Sequence, residues 1–122
     1  DLPVSPATRQ DPVVAAKRRE LERLDALRES LVRDHTVELE GLLAEHAALT
    51  RQLERARQTA LPLAEQKVSL QTASYQAGKV DLSAVLAARR DRIEQRLRVV
   101  ELEGGRARVA ARLHYAYGED EP

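Results

Sequence analysis

Residues 75–86, Tyr-Gln-Ala-Gly-Lys-Val-Asp-Leu-Ser-Ala-Val-Leu, decide the fold, because they hold the one reversal between two long charged segments with heptad-spaced apolar residues. Gly78 stands where a helix ending near Ala77 needs a residue in the left-handed conformation, which costs glycine almost nothing. A tight turn at this point folds the two segments back on each other. The sequence therefore predicts an all-α fold, a long antiparallel coiled-coil helical hairpin with its tip at residues 77–81.

The residues after Gly78 fit the start of the second helix. Lys79 lies at the carbonyl end of the first helix, where positive charge is favoured. Asp81 is a good N-cap for a helix that opens at Leu82, because its carboxylate can accept hydrogen bonds from the free amides of the first turn. Both helix ends and the reversal thus fit within a few residues.

The first helix is predicted to cover about residues 12–76. Asp11 fits as its N-cap and Pro12 as its first helical residue. Pro62 is expected to kink this helix and not to end it, because the heptads continue through it to Leu70. Alternating spacings of four and three residues mark a coiled-coil seam at Leu39, Leu42, His46, Leu49, Leu53, Ala56, Ala60 and Leu63.

The second helix is predicted to cover about residues 82–117. Gly104 and Gly105 either weaken it, by about 1 kcal/mol per glycine relative to alanine, or permit a close helix crossing. Its better apolar face, expected to complete the seam, comprises Leu86, Ile93, Leu97, Val100, Ala107 and Ala111.

The chain divides by this interpretation into an extended lead-in at residues 1–10, the hairpin at 11–117 and a tail at 118–122. At about 1.5 Å per residue the first helix would span roughly 98 Å and the second roughly 54 Å. The apolar stripe from Leu21 to Leu31 therefore has no cover within the hairpin, and such stripes usually meet a partner. We expect the isolated chain to self-associate into a larger helical bundle. Because it begins at Asp1 without methionine, we also expect it to be a piece of a larger protein.

Composition excludes several function classes. The 20 basic and 20 acidic residues cancel and are interspersed, which does not favour binding to nucleic acid. The chain has no cysteine, so a disulfide framework or a thiolate metal site is excluded. His35 and His46 lie about 16 Å apart along a helix and cannot share an ion. No catalytic pairing of residues stands out from the charged helix surfaces, and we expect no enzyme activity, no cofactor and no metal site.

Several short motifs resemble those of a known family. Tyr75 and Gly78, followed by a helix start with Val85, Leu86 and Ala88, resemble the periplasmic turn in the second repeat of the TolC-like outer-membrane efflux channels. Further matching features are Arg9-Gln10-Asp11-Pro12, Leu61-Pro62-Leu63-Ala64 and Leu113-His114-Tyr115 before Gly118. The form Ala77-Gly78-Lys79, with Ala88-Arg89-Arg90 and Arg96-Leu97, most resembles the heavy-metal resistance branch, of the cobalt-zinc-cadmium type.

The resemblance implies roles for individual tip residues. Tyr75 matches the tyrosine that packs and hydrogen-bonds to hold the pore closed; covering the seam at the helix end is the alternative role. Gly78 matches the turn glycine in the groove that the adaptor's hairpin contacts, although turn chemistry alone would also require it. Lys79, Val80 and Asp81 complete this gating and docking tip.

The chain also departs from the family's pattern. Well-known members place an arginine that locks the tip where this chain has Val80. Their two pore-facing aspartates correspond to Ala84 and Ala87, so an acidic ring that selects cations is not expected.

The function that the resemblance implies is a segment of the periplasmic helical tunnel of an outer-membrane channel in a Gram-negative bacterium. The full-length parent would be a trimer that works with a periplasmic adaptor protein and an inner-membrane pump, with metal cations as the exported substrate. Its membrane part would be a β-barrel outside this chain. The alternatives are the hairpin of a periplasmic adaptor, which would have arms of similar length and flanking lipoyl-like β segments, or a free-standing coiled-coil interaction module.

Overall fold

The computed structural model describes residues 7–118 of the chain, and the side chains from residue 11 onward. These residues form α1 at Ala7–Arg55, a π-helical segment at Ala56–Ala60, α2 at Leu61–Gln76 and α3 at Leu82–Gly118. No strand occurs within this range. Helical structure is continuous along the sequence through the first three elements, and its part from residue 41 to 76, the first arm, packs against α3. The predicted all-α helical hairpin is confirmed.

The predicted ends of the helices need correction. α1 begins at Ala7 and not near Asp11, so at least residues 7–10 of the expected lead-in are helical. Pro12 lies inside the helix, where it removes a single backbone donor and leaves the rest of the first turns intact. Gly118 is the last residue of α3, although the tail was expected to start there. The other residues of the lead-in and the tail lie outside the described range.

The chain consists of two compact units, Asp1–Glu40 and Gly41–Pro122. In the first unit, the described part is a helix whose large apolar side chains are exposed, except half-buried Leu39, as expected for the stripe from Leu21 to Leu31. These side chains are Val13, Val14, Leu21, Leu24, Leu27, Leu31, Val32 and Val37.

The second unit contains the hairpin and its core. Leu53 is only 1% exposed and forms a buried cluster with Ala56 and Leu102. Leu49 and Val99 pack against this cluster from the two arms. Burial of heptad-spaced side chains between two helices is the source of stability in such a narrow fold. The seam predicted for the first arm is therefore confirmed around Leu53.

Two ion pairs join the arms beside the seam. Arg57 donates to the carboxylate of Glu103, and Arg96 Nη2 lies 3.3 Å from Glu65 Oε1. All four side chains are about half exposed, so each pair contributes at most about 1 kcal/mol. They help to fix which residues of the two arms lie side by side.

Pro62 changes the seam of the first arm. Proline has no backbone N–H, and its ring clashes with the carbonyl four residues earlier in a regular α-helix. Immediately before it, the helix widens into the π-helical segment, and Leu61 donates its N–H to the carbonyl of Ala56. The helix continues through Pro62 as predicted. A π-helical turn, however, inserts one residue and rotates the following residues by about 100°.

This rotation contradicts the predicted seam beyond Ala60. Leu63 and Leu70, which an unbroken heptad would bury, are 63% and 64% exposed. Ala64 and Val68 are buried in their place. The number of residues between the buried positions before and after the π-helical segment is therefore one larger than the heptad pattern requires.

The prediction for α3 was also wrong. The face expected to pack in the seam, Leu86, Ile93, Leu97, Val100, Ala107 and Ala111, is exposed. The buried residues of α3 are Val85, Ala88, Leu102 and Val109, and half-buried Arg92, Gln95 and Val99 complete their heptad spacing. Small Ala88 is 1% exposed, which indicates that the arms pack closely at that point.

The two consecutive glycines of α3 do not mark a tight crossing. A Cβ atom placed on Gly105 would lie 3.8 Å from Leu49 Cδ1, an ordinary van der Waals distance. A Cβ atom on Gly104 would lie 3.5 Å from Arg108 Nη1. The close crossing offered by the sequence is therefore not seen at these glycines, and α3 continues through them.

Candidate functional site

The tip is a helix-ending turn built on Gly78. Gly78 has φ of 71°, in the left-handed region, and its N–H donates to the carbonyl of Tyr75 at 2.9 Å. The N–H of Lys79 donates to the carbonyl of Ser74, also at 2.9 Å. These two hydrogen bonds define a Schellman motif, which satisfies carbonyls at the end of α2. The predicted role of Gly78 in the turn is confirmed.

α3 begins directly after the turn. Asp81 is the residue before the helix, and its backbone carbonyl accepts a hydrogen bond from the N–H of Ala84 at 3.0 Å. No hydrogen bond of the Asp81 carboxylate is seen within the described residues, so its expected side-chain cap is not present there. The exposed carboxylate is left facing solvent at the tip.

The other tip residues form an accessible surface. Gly78, Lys79 and Asp81 are exposed, and Val80 is half-buried. No atom lies within 4 Å of a Cβ placed on Gly78, so a larger side chain there would project into open space. The turn is thus able to contact a partner through its backbone at Gly78 without rearrangement of the hairpin.

Tyr75 lies on the last turn of α2 and is 45% exposed. Its hydroxyl makes no hydrogen bond among the residues that the structure describes. Part of the ring is covered within the hairpin, and the rest is free for a contact with another chain. Both roles considered for Tyr75 are therefore compatible with its position.

α3 carries a second apolar stripe that the hairpin leaves uncovered. We call Leu86, Ile93, Leu97, Val100, Ala107 and Ala111 the outer stripe. Its four large side chains are each more than half exposed. These residues stand out in the sequence, but their heptad spacing is equally that of a seam inside the hairpin. Two heptad patterns overlap on this helix, and the spacing alone does not say which pattern the first arm covers.

The outer stripe and the seam lie on nearly opposite sides of α3. With about 3.5 residues per turn, the centres of the two patterns are about 150° apart around the helix axis. The first arm is organised in a similar way beyond the π-helical segment, where Leu63 and Leu70 are exposed and Ala64 and Val68 are buried. Each arm near the tip thus has one apolar face inside the hairpin and one outside.

Ala84 and Ala87 lie on α3 between these two faces. They are spaced by three residues and so share one side of the helix. Ala87 is exposed and Ala84 is half-buried. By helical spacing, this side continues through Asp91 and Glu94 and forms the wider of the two polar flanks of α3; the narrower flank carries Arg89, Arg96 and Glu103.

The described residues hold no other candidate site. No group of three or more histidine, cysteine or acidic side chains is arranged there to hold a metal ion. None of the helices in this range is both long and apolar enough to span a bilayer. The tip and the outer stripe are therefore the features on which a function can be argued.

Comparison with known proteins adds no relative to these observations. No family model, no curated protein and no solved structure matches the chain.

Proposed function

We propose that this hairpin is a wall segment of the periplasmic helical tunnel of an outer-membrane efflux channel, in an export system for metal cations. The observation that carries the proposal is the pair of apolar faces on α3. An isolated two-helix hairpin needs only one apolar face per helix, because each helix has a single neighbour. A helix within a wall has a neighbour on each side and needs two.

The angle between the faces supports a closed wall. In a closed ring, the directions from one helix to its two neighbours make an angle smaller than 180°. This angle approaches 180° as the number of helices grows. An angle of about 150° corresponds to a ring of roughly a dozen helices. Three copies of a parent that contributes two such hairpins each would supply that number. By this geometry the narrower flank of α3, with Arg89, Arg96 and Glu103, would face the inside of the tunnel. Ala84 and Ala87 would lie on the wider flank, which faces outward, unlike the pore-facing placement that the resemblance implies.

The tip has the properties that a docking element needs. Gly78 is exposed, and open space lies where its Cβ atom would be. A periplasmic adaptor that lays its own hairpin against this turn would meet exposed Lys79 and Asp81 on either side. Transport energy would come from an inner-membrane pump, since the tip offers no chemistry of its own.

The outer faces also separate this proposal from a free-standing coiled-coil module. Such a module would have to leave Leu86, Ile93 and Leu97 in water or to bury them against an unrelated partner. Covering these residues with like hairpins explains their heptad spacing, which matches that of the seam.

The test uses cells that depend on the protein carrying this hairpin. Deleting its gene is expected to raise sensitivity to cobalt, zinc or cadmium, and the wild-type gene should restore resistance. Gly78→Leu should fail to restore resistance, whereas Gly78→Ala should succeed. Both variants impose the left-handed backbone strain, of about 1 kcal/mol, but only leucine fills the docking surface. Resistance that is unaffected by deletion, or restored equally by Gly78→Leu, would contradict the proposal.

A further inference from the structure

We propose that a second copy of this chain binds the outer stripe of α3 in parallel orientation, so that the two α3 helices form a coiled coil along the stripe. The inference concerns the chain on its own and does not depend on the proposed tunnel. It rests on the exposed apolar residues of the stripe and on the charges that flank them.

The outer stripe has the spacing of a coiled-coil interface. In heptad notation, Leu86, Ile93 and Val100 occupy d positions and Leu97 occupies an a position. All four are more than half exposed in the single chain. Arg90 occupies another a position, where a single basic residue lowers stability but helps to specify register and oligomeric state. The apolar part of the stripe thus provides the driving force for pairing, and Arg90 limits the possible registers.

The flanking charges select the parallel orientation. In a parallel pair, the g residue of one helix lies beside the e residue about five positions further along its partner. On α3 the charged g residues are Arg89, Arg96 and Glu103, and the charged e residues are Glu94, Glu101 and Arg108. The resulting pairs are Arg89 with the partner's Glu94, Arg96 with the partner's Glu101, and Glu103 with the partner's Arg108. All three pairs unite opposite charges.

An antiparallel pair does not share this property. In that orientation, e residues face e residues and g residues face g residues. When the antiparallel pair is centred on the outer stripe, Glu94 and Glu101 of one copy lie opposite Glu101 and Glu94 of the other. Like charges at these positions disfavour association, so the charge pattern distinguishes the two orientations.

The competing contacts within one chain are weak. Arg96 pairs with Glu65 and Glu103 pairs with Arg57, but these side chains are about half exposed. Arg89, Glu94 and Glu101 make no ion pair in the described part of the chain. The pair of Arg89 with the partner's Glu94 therefore forms without breaking a contact inside the hairpin.

Disulfide trapping tests both the surface and the orientation. The chain has no cysteine, so single-cysteine variants report on one position only. Ser83→Cys and Ala107→Cys place a thiol at an a and a d position, about 36 Å apart along the helix, without removing a large apolar side chain. Under mild oxidation each variant alone should form a covalent dimer. Ser69→Cys, on the exposed side of the first arm, is the control and should form no covalent dimer.

Three outcomes would overturn the proposal. Cross-linking only when the Ser83→Cys and Ala107→Cys chains are mixed would indicate an antiparallel pair. Cross-linking of neither variant, in a chain that still self-associates, would show that another surface, such as the stripe from Leu21 to Leu31, is used. A chain that stays monomeric by sedimentation at high micromolar concentration would show that the outer stripe does not bind a second copy.

Charge reversal gives an independent readout. The double variant Glu94→Arg/Glu101→Arg should raise the dimer dissociation constant by about tenfold or more, because four pairs across the two-fold axis become repulsive. Adding Arg89→Glu and Arg96→Glu restores opposite charges and should recover dimerisation. Circular dichroism of each variant verifies that the hairpin is folded. Equal dissociation constants for the double variant and the wild type would refute the assigned charge pairs.

Discussion

The shift of the seam at Pro62 makes a quantitative prediction for two leucines of the first arm. Leu53 is 1% exposed and lies in the buried cluster with Ala56 and Leu102, whereas Leu63 is 63% exposed. Truncating a buried leucine removes apolar burial and leaves a cavity, so Leu53→Ala should destabilise the hairpin by about 2–5 kcal/mol. Leu63→Ala should change the free energy of unfolding by no more than about 0.5 kcal/mol, because it removes few contacts within the chain.

The two variants are matched, since the same substitution is made ten residues apart on one helical arm. Urea unfolding followed by circular dichroism measures both, at a concentration chosen so that sedimentation of the wild-type chain shows a monomer. If the heptad continued unchanged through Pro62, Leu63 would be buried and both variants would lose several kcal/mol. A loss of more than about 2 kcal/mol for Leu63→Ala would therefore refute the shifted seam.

Three further predictions follow from individual contacts. Gly105→Ala should stabilise the hairpin by about 0.5–1 kcal/mol in thermal unfolding, because alanine favours the helix and its methyl group would meet Leu49 at an ordinary contact distance. A decrease in the melting temperature would contradict the loose crossing at this glycine. Arg57→Ala should cost less than about 1 kcal/mol, since the ion pair that it removes is half exposed; a larger loss in urea unfolding would mean that this pair is not screened by solvent. In the proposed channel, Ala84→Asp/Ala87→Asp should not introduce block by divalent cations from the periplasmic side, because both residues lie on the outward flank of α3 and carboxylates there would not converge in the pore. Single-channel recordings in which the added aspartates create such a block would contradict the outward placement of these alanines.

Turn chemistry could be predicted from the sequence in detail. Glycine at position 78 is the only residue near the reversal that takes a left-handed conformation at almost no cost, and the structure places it there with φ of 71°. The positions of both helix ends at the tip, Gln76 and Leu82, follow from this local rule. The Asp81 side chain was not predictable in the same way, because an exposed carboxylate can remain in water without a loss of stability.

The seam was predictable only as far as the helix is regular. Up to Ala60 the apolar residues of the first arm repeat with heptad spacing, and the burial follows it. Pro62 gave a signal for an irregularity but not for its form, because a kink and a π-helical insertion both relieve the clash of the proline ring. Only the insertion changes which of Leu63 and Ala64 is buried.

α3 shows a different limit of sequence reasoning. The larger side chains of the outer stripe gave the stronger heptad signal, whereas the face that packs inside the hairpin includes Ala88, Arg92 and Gln95. Choosing the seam of α3 by the size of its apolar side chains selects the outer stripe. Such a choice fails for a helix that has two partner faces when the hairpin supplies only one of the partners. The burial pattern of the hairpin distinguishes the two faces.

Cysteine scanning of α3 in the cell tests most directly whether this helix has two partner faces. Each residue from 82 to 111 would be replaced singly by cysteine in the protein that carries this hairpin, and its reactivity towards a membrane-impermeant maleimide would be measured in intact and detergent-denatured samples. We predict two protected faces with heptad spacing, one containing Val85, Ala88 and Leu102 and the other containing Ile93 and Leu97, separated by a reactive flank. Protection of the first face alone, with full reactivity along the outer stripe, would contradict a second helical partner for α3.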